Sequence, residues 1–331
     1  MDLFPLASWI WIIFAIDSNL LSMLKHSLAL HGGAGTILRS DMSPEKESQY
    51  LMALEEALES GFEILHKGGS ALDAVEKSVS ILEDCPLFNA GRGSVFTFDG
   101  KHEMDASIMD GCNLDGGAVA MLRNVKNPIH LARLVMDQSS HVFLAGEGAE
   151  EFAKSHQVEF QPSEYFYDEF RYQQWLSVKG SEEIMLDHIS VKEHKFGTVG
   201  AVARDRHGNL AAATSTGGMT NKKFGRIGDT PMLGAGTYAD NSSCAISCTG
   251  SGEYFIRINA AFHVHALMKY QRLSLHDACE KVVQDILPSI GGDGGLIGVD
   301  HSGNVCLSFN TEGMYRALKD SDGNKEVLIY T

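Results

Sequence analysis

Apolar residues recur along this chain at two different periods. From Ser43-Pro44 to Gly68-Gly69 they fall at 51, 54, 58, 62 and 65, the spacing of a helix that buries one face. Proline at the first helical position marks the start and the glycine pair marks the end. Ser70 is placed to cap a second helix carrying Leu72, Val75, Val79 and Leu82, and Asn127-Pro128 opens a third that runs to about Asp137. Short strands are expected at Ser27 to Leu30, Phe96 to Asp99, Ala106 to Met109 and Gly117 to Leu122, with a glycine turn at His31 to Gly35 after the first. Val199, Ala201 and Val202 then alternate, the chain turns through Asp205-Arg206-His207-Gly208-Asn209, and Leu210 to Thr216 returns as a hairpin. Two helices around Phe255 to Tyr270 and Leu275 to Leu287 follow, and a last hairpin joins Gly295–Val299 to Val305–Phe309.

Between Ser155 and Lys195 both periods fade, which predicts a polar surface segment or mobile tail. Strands and helices interleave without a regular βαβ rhythm, so the expected class is α/β of mixed, α+β character. The 331 residues, 44% hydrophobic with 34 glycines, suit a globular protein rich in tight turns. A formal charge of −16 argues against nucleic acid or an anionic membrane as partner. Cysteines 85, 112, 244, 248, 279 and 306 show no paired CxxC spacing, and reduced thiols in a cytoplasmic protein are the expectation. Leu3 to Ile16 is an apolar run of signal-core length, but Asp2 precedes it with no basic residue. With Met23 standing as a second start, residues 1–22 read as a dispensable extension, with export as the alternative.

If the hairpin turn centres on His207, Thr198 faces Thr216 across the ladder, with Cβ atoms roughly 5 Å apart. Taken alone, Thr198 is an ordinary β-branched strand residue. A Gly197-Thr198 peptide with a second hydroxyl beside it is also what a self-cleaving threonine hydrolase requires. Glycine at 197 exposes its carbonyl and tolerates strained dihedrals. After cleavage, a free α-amine with a reference pKa near 7.7 serves as base to its own hydroxyl. The runs His31-Gly32-Gly33-Ala34-Gly35 and Gly291 to Gly295 are glycine-rich, yet neither carries a phosphate-loop or full dinucleotide fingerprint.

Eight blocks in order resemble the plant-type asparaginase / isoaspartyl peptidase family of N-terminal-nucleophile hydrolases. They are HGGAG at 31–35, LEDCPLFNAGRG at 82–93, MDASIMDG at 104–111, GTVG at 197–200, TSTGG at 214–218, GRIGD at 225–229, SCTGSG at 247–252 and NTEGM at 310–314. The resemblance spans about residues 26 to 317. It implies a four-layer αββα fold in one domain, cut before Thr198 into a large subunit (23–197, its tail at about 155–195) and a small one (198–331), assembled as an (αβ)2 dimer. It implies Thr198 as nucleophile, Thr216 as its orienting partner, Thr249 and Gly250 as the oxyanion hole, and Asn89 as a positioner of the amine. Arg226 and Asp229, rather than forming a mere surface ion pair, would clamp an α-carboxylate and an α-ammonium, helped by the Gly252 carbonyl. The carbonyls of Leu82, Glu83, Cys85, Phe88, Ala90 and Arg92 would hold a structural sodium, and no cofactor is implied for catalysis. Expected substrates are β-aspartyl dipeptides and L-asparagine. The rival readings are a glycosylasparaginase, which shares the nucleophile but admits a sugar, and a non-catalytic binding protein on the same fold.

Overall fold

The computed structural model describes residues 25–179 and 197–331. The apolar extension at 1–22 and the later part of the expected tail, 180–195, lie outside the described residues. The strands are β1 (Ser27–Gly35), β2 (Met104–Asp110), β3 (Gly116–Leu122), β4 (Phe143–Ala145), β5 (Val199–Arg204), β6 (Leu210–Thr216), β7 (Thr237–Ala239), β8 (Cys244–Gly250), β9 (Gly294–Asp300), β10 (Val305–Phe309), β11 (Gly313–Asp320) and β12 (Lys325–Tyr330). The helices are α1 (Pro44–His66), α2 (Ala71–Asp84), α3 (Pro128–Gln138), α4 (Gly146–Ser155), α5 (Glu169–Val178), α6 (Gly252–Ile258), α7 (Ala260–Gln271) and α8 (Leu275–Glu280).

These strands form an eight-stranded sheet, β12-β11-β1-β5-β6-β2-β3-β4, and a four-stranded sheet, β10-β9-β8-β7. Side-chain alternation explains the layering. Ala201, Ala203, Ala211 and Ala213 point to one face of the large sheet, where they join Leu54, Leu58, Leu65, Val75 and Val79 of α1 and α2. Val202, Leu210 and Ala212 point to the other face and meet Ala245, Ile297 and Val299 of the small sheet. The far face of the small sheet carries Ile246, Cys248 and Leu296, covered by Val264 and Leu267 of α7 and Ala278 of α8. Helix, sheet, sheet and helix therefore stack in four layers. Hairpin strands β5 and β6 lie in the middle, buried on both faces, and small alanines keep the layers close.

Local signals act as expected at the first helices. Ser43 Oγ accepts from Lys46 N at 3.2 Å and Ser70 Oγ from Asp73 N at 3.1 Å. Several expectations need correction. His31 to Gly35 is not a turn: β1 continues through it with a bulge between His31 and Gly33, still paired to β11. Phe96 to Asp99 is not a strand, because its backbone bonds pass to the loop at 221–222 instead of to a ladder. Part of the supposed tail is a helix, α5, capped by Asp168 Oδ1 on Arg171 N at 3.0 Å and burying Trp175. The helix expected at Phe255 to Tyr270 breaks at Asn259, whose φ is 47°, and the one at Leu275 widens into a π-turn over Lys281–Ile286. The hairpin β9–β10 is not the last, since β11 and β12 follow and complete the edge of the large sheet. All six cysteines are free, and no described helix is long and apolar enough to cross a membrane.

Candidate active site

The hairpin register decides what stands beside Thr198. Val199 pairs with Ser215, Gly200 with Thr214, and the ladder continues to Arg204 and Leu210. One step before the first pair, Thr198 Oγ1 donates to Thr216 Oγ1 at 3.1 Å. Thr216 Oγ1 also accepts the Gly218 N–H at 3.0 Å, which fixes it as a polar post at the strand end. A third hydroxyl, Thr230 Oγ1, lies 3.4 Å from Thr198 Oγ1. Sequence reading missed Thr230, although it directly follows Asp229, because its contact with Thr198 joins residues 32 positions apart.

Gly197 is glycine for want of space. A Cβ there would lie 2.4 Å from Thr249 Oγ1. Gly33, at φ 113°, is bound by the same packing, since its Cβ would lie 2.6 Å from Gly197 N. The HGGAG bulge thus presses the Gly197 backbone against the end of β8. Thr249 Oγ1 accepts the Ala34 N–H at 3.3 Å, which leaves its own hydrogen to donate, and Gly250 follows at the strand end. The site therefore places hydroxyl donors on both sides of the Gly197–Thr198 junction.

Asn89 braces the loop after β6: its Nδ2 donates to Gly218 O at 2.7 Å and its Oδ1 accepts from Val95 N at 3.1 Å. Arg226 and Asp229 both line the same cleft as Thr198, Thr216 and Gly250. They do not pair as a surface bridge. Arg226 Nε and Nη2 each donate to Glu253 at 2.8 Å, a carboxylate that sequence reading did not single out. Asp229 is buried, and its Oδ2 has no hydrogen-bond partner among the described residues. Loss of water pushes its carboxyl up to about 7, against the pull of the Arg226 charge. An uncompensated carboxylate facing a cleft is a seat for a cation such as an ammonium group. Gly252 closes this corner, since a Cβ there would come within 2.8 Å of Asp229 Oδ1 and 3.0 Å of Arg226 Nη2.

The glycines of the 82–93 loop pack against main-chain oxygens. A Cβ on Gly91 would lie 2.5 Å from Glu83 O, and one on Gly93 would lie 2.1 Å from Phe88 O and 2.6 Å from Pro86 O. The carbonyls of Leu82, Cys85, Phe88 and Ala90 each accept one backbone N–H, and each keeps a second lone pair. Main-chain oxygens as donors would suit a hard cation and not a thiophilic one. Among the described residues no cluster of His, Cys, Asp or Glu side chains suits a metal. The Glu83 side chain accepts the Ser215 hydroxyl at 2.6 Å, which ties this segment to the β5–β6 hairpin.

Comparisons with known proteins show the family of this chain. The asparaginase family profile matches residues 24–329. An isoaspartyl peptidase of Salmonella typhimurium is 56% identical over 89% of this chain and 95% of its own. One from Escherichia coli K12 is 55% identical over 89% and 93%. An isoaspartyl peptidase/L-asparaginase of Xenopus laevis is 43% identical over 90% and 93%.

Proposed function

Because this chain belongs to the asparaginase / isoaspartyl peptidase family, we propose that it is a threonine amidohydrolase. It cuts itself before Thr198 and then cleaves β-aspartyl dipeptides and the side-chain amide of L-asparagine, releasing L-aspartate. The observation that carries the reading is the 3.1 Å contact of the Thr198 and Thr216 hydroxyls beside a Gly197 pressed on Thr249.

In the continuous chain, Thr198 Oγ1 attacks the Gly197 carbonyl. The carbon–nitrogen bond breaks, the nitrogen takes a proton to become the α-amine of Thr198, and water opens the ester. In the mature enzyme that amine removes the hydroxyl proton as Oγ1 attacks the aspartyl side-chain carbonyl. The Thr249 hydroxyl and the Gly250 N–H receive the developing oxyanion, each worth on the order of 3 kcal/mol. The proton passes to the leaving amine, and water frees aspartate from Thr198. Asn89 keeps the loop beside the amine in place. Arg226 holds the α-carboxylate by its planar fork, and Asp229, with the Gly252 carbonyl, holds the α-ammonium. With both charged groups held, the side-chain carbonyl is the one left facing Thr198.

The carbonyls of Leu82, Glu83, Cys85, Phe88, Ala90 and Arg92 would hold a sodium ion that stiffens the loop, with no part in the chemistry. An (αβ)2 dimer in the cytoplasm completes the reading, supported by the family and by the six free cysteines. A substrate bearing a sugar is less well supported, because the similar proteins are isoaspartyl peptidases and L-asparaginases.

The test is a denaturing gel with end sequencing. Wild-type protein should split into fragments of 197 and 134 residues, the smaller beginning Thr-Val-Gly-Ala. Thr198→Ala should remain whole and Thr198→Ser should cleave slowly. Any other new N-terminus overturns the assignment. A kinetic panel of β-aspartyl dipeptides, asparagine and glycosylated asparagine then separates the enzymatic readings, and a chain that never splits supports the non-catalytic scaffold.

A further inference from the structure

Beneath the nucleophile runs a chain of buried polar side chains for which the reaction above has no use. His31 Nδ1 lies 2.9 Å from the carbonyl oxygen of Thr198, and His31 Nε2 lies 2.9 Å from Ser247 Oγ. Ser247 Oγ is 2.8 Å from Thr214 Oγ1, and Thr237 Oγ1 is 2.5 Å from Thr214 Oγ1. Ser107 Oγ is 2.8 Å from Thr237 Oγ1 and 2.6 Å from the carbonyl oxygen of Thr230. Thr230 in turn presents its hydroxyl to Thr198 Oγ1. His31, Ser247, Thr214, Thr237 and Ser107 are all fully buried.

The hydrogens in this chain are constrained. A carbonyl cannot donate, so the contact with Thr198 O requires a hydrogen on His31 Nδ1. Burial pushes the basicity of the ring down to about 3, so the imidazole is neutral and its Nε2 is bare. Ser247 must then donate to Nε2, Thr214 to Ser247, and Thr237 to Thr214. Ser107 has one hydrogen left for two acceptors, Thr237 Oγ1 and Thr230 O. From Thr237 to the imidazole every hydrogen points toward the ring, and Ser107, 2.6 Å from the Thr230 carbonyl, ties the row to the substrate loop.

We infer that His31 is a positioning residue that anchors the catalytic N-terminus by its carbonyl, with its ring locked by a hydroxyl relay reaching from the Arg226–Thr230 loop. The inference rests on Thr198 being the nucleophile. Once the bond before it is cut, Thr198 is a chain end one residue outside the β5 ladder, and chain ends fray unless tied down. Thr216 and Thr230 hold its hydroxyl, whereas His31 holds its backbone. Gly200 makes room for the relay. It is paired with both His31 and Thr214, and a Cβ there would lie 2.0 Å from Ser247 Oγ and 2.5 Å from His31 Nε2.

Asparagine and glutamine substitutions separate the two ring nitrogens, since Asn carries a donor near the Nδ1 position and Gln carries one near Nε2. With asparagine as substrate, His31→Asn should keep kcat within about fivefold, whereas His31→Gln should lose roughly 100-fold in kcat with KM little changed, the usual cost of a misplaced reacting group. Ser247→Ala, which cuts the relay while leaving the ring, should lower kcat by about tenfold and serves if a His31 variant fails to mature. Nitrogen-15 shifts of the wild-type enzyme should show His31 protonated at Nδ1 and bare at Nε2. The inference is overturned if His31→Gln retains wild-type kcat, if Asn rescues no better than Gln, if Ser247→Ala leaves kcat unchanged, or if the opposite tautomer is found. End sequencing keeps the premise separate: a small fragment beginning elsewhere than Thr198 removes the nucleophile assignment, whereas one beginning at Thr198 leaves these kinetics to judge His31 alone.

Discussion

The guanidinium of Arg226 lies fork to fork on the carboxylate of Glu253, with Nε and Nη2 each 2.8 Å from a carboxylate oxygen. A substrate α-carboxylate entering that fork must displace an occupant of its own kind. The Glu253 side chain is half exposed, at 49%, so the bond to be broken is worth about 1 kcal/mol or less. Glu253→Gln should therefore lower KM for asparagine by about fivefold with kcat nearly constant. A KM that stays level or rises would show that Glu253 orients Arg226 and does not compete for it.

Asp229 sets a pH dependence of stability. Its folded-state carboxyl, raised to about 7 by burial, holds a proton that the unfolded chain releases near the ordinary carboxylate value. Between those two values the unfolded state binds fewer protons, so stability falls as pH rises through the window, and the full penalty is in force above it. Asp229→Asn lacks this penalty. The Tm advantage of Asp229→Asn over wild type should grow from pH 4 to pH 7 and then level off; an advantage that shrinks with rising pH would contradict the assignment.

Gly197→Ala separates processing from turnover. The added Cβ would meet Thr249 Oγ1 at 2.4 Å, so the scissile carbonyl must shift away from its hydroxyl donor. Self-cleavage should slow by at least about tenfold, followed as loss of the full-length band. Molecules that do split should turn over asparagine with a kcat near that of wild type, because cleavage releases residue 197 from its bond to Thr198.

Blocking the α-amine probes the Asp229 seat directly. N-acetyl-asparagine offers no ammonium and should lose at least about tenfold in kcat/KM against asparagine, roughly 1.4 kcal/mol. A smaller loss means that Asp229 does not bind that group.

The facing of Thr198 and Thr216 could be read from the chain because a hairpin is a local object: alternation on two strands and a turn between them fix which residues meet. The helix start at Ser43-Pro44 and the cap at Ser70 were legible for the same reason. Glu253 and Thr230 were not, although each follows a residue of a recognised block, since which of their side chains meet Arg226 and Thr198 depends on contacts between segments distant in sequence. His31 was visible as part of a glycine-rich motif, but its role depends on Ser247 and Thr214, residues distant in sequence. The bulge at His31 to Gly33 resembled a turn because glycine serves both conformations equally. Helix α5 escaped notice because much of its surface is polar and its buried contacts are few, Trp175 chief among them.

A surface turn is usually where a protein tolerates added or lost residues most easily. The one at 205–209 has no such freedom, although it lies at the opposite end of the hairpin from the nucleophile. Asp205 Oδ1 gathers the N–H groups of His207 and Asn209 at 2.8 and 3.0 Å, and so sets its length. One residue more or fewer would slide β6 past β5 by a step and turn the Thr216 hydroxyl to the opposite face of the sheet. Homologues that keep this chemistry should therefore vary the composition of that turn while holding its length, and a one-residue insertion there should abolish activity in a protein that still folds.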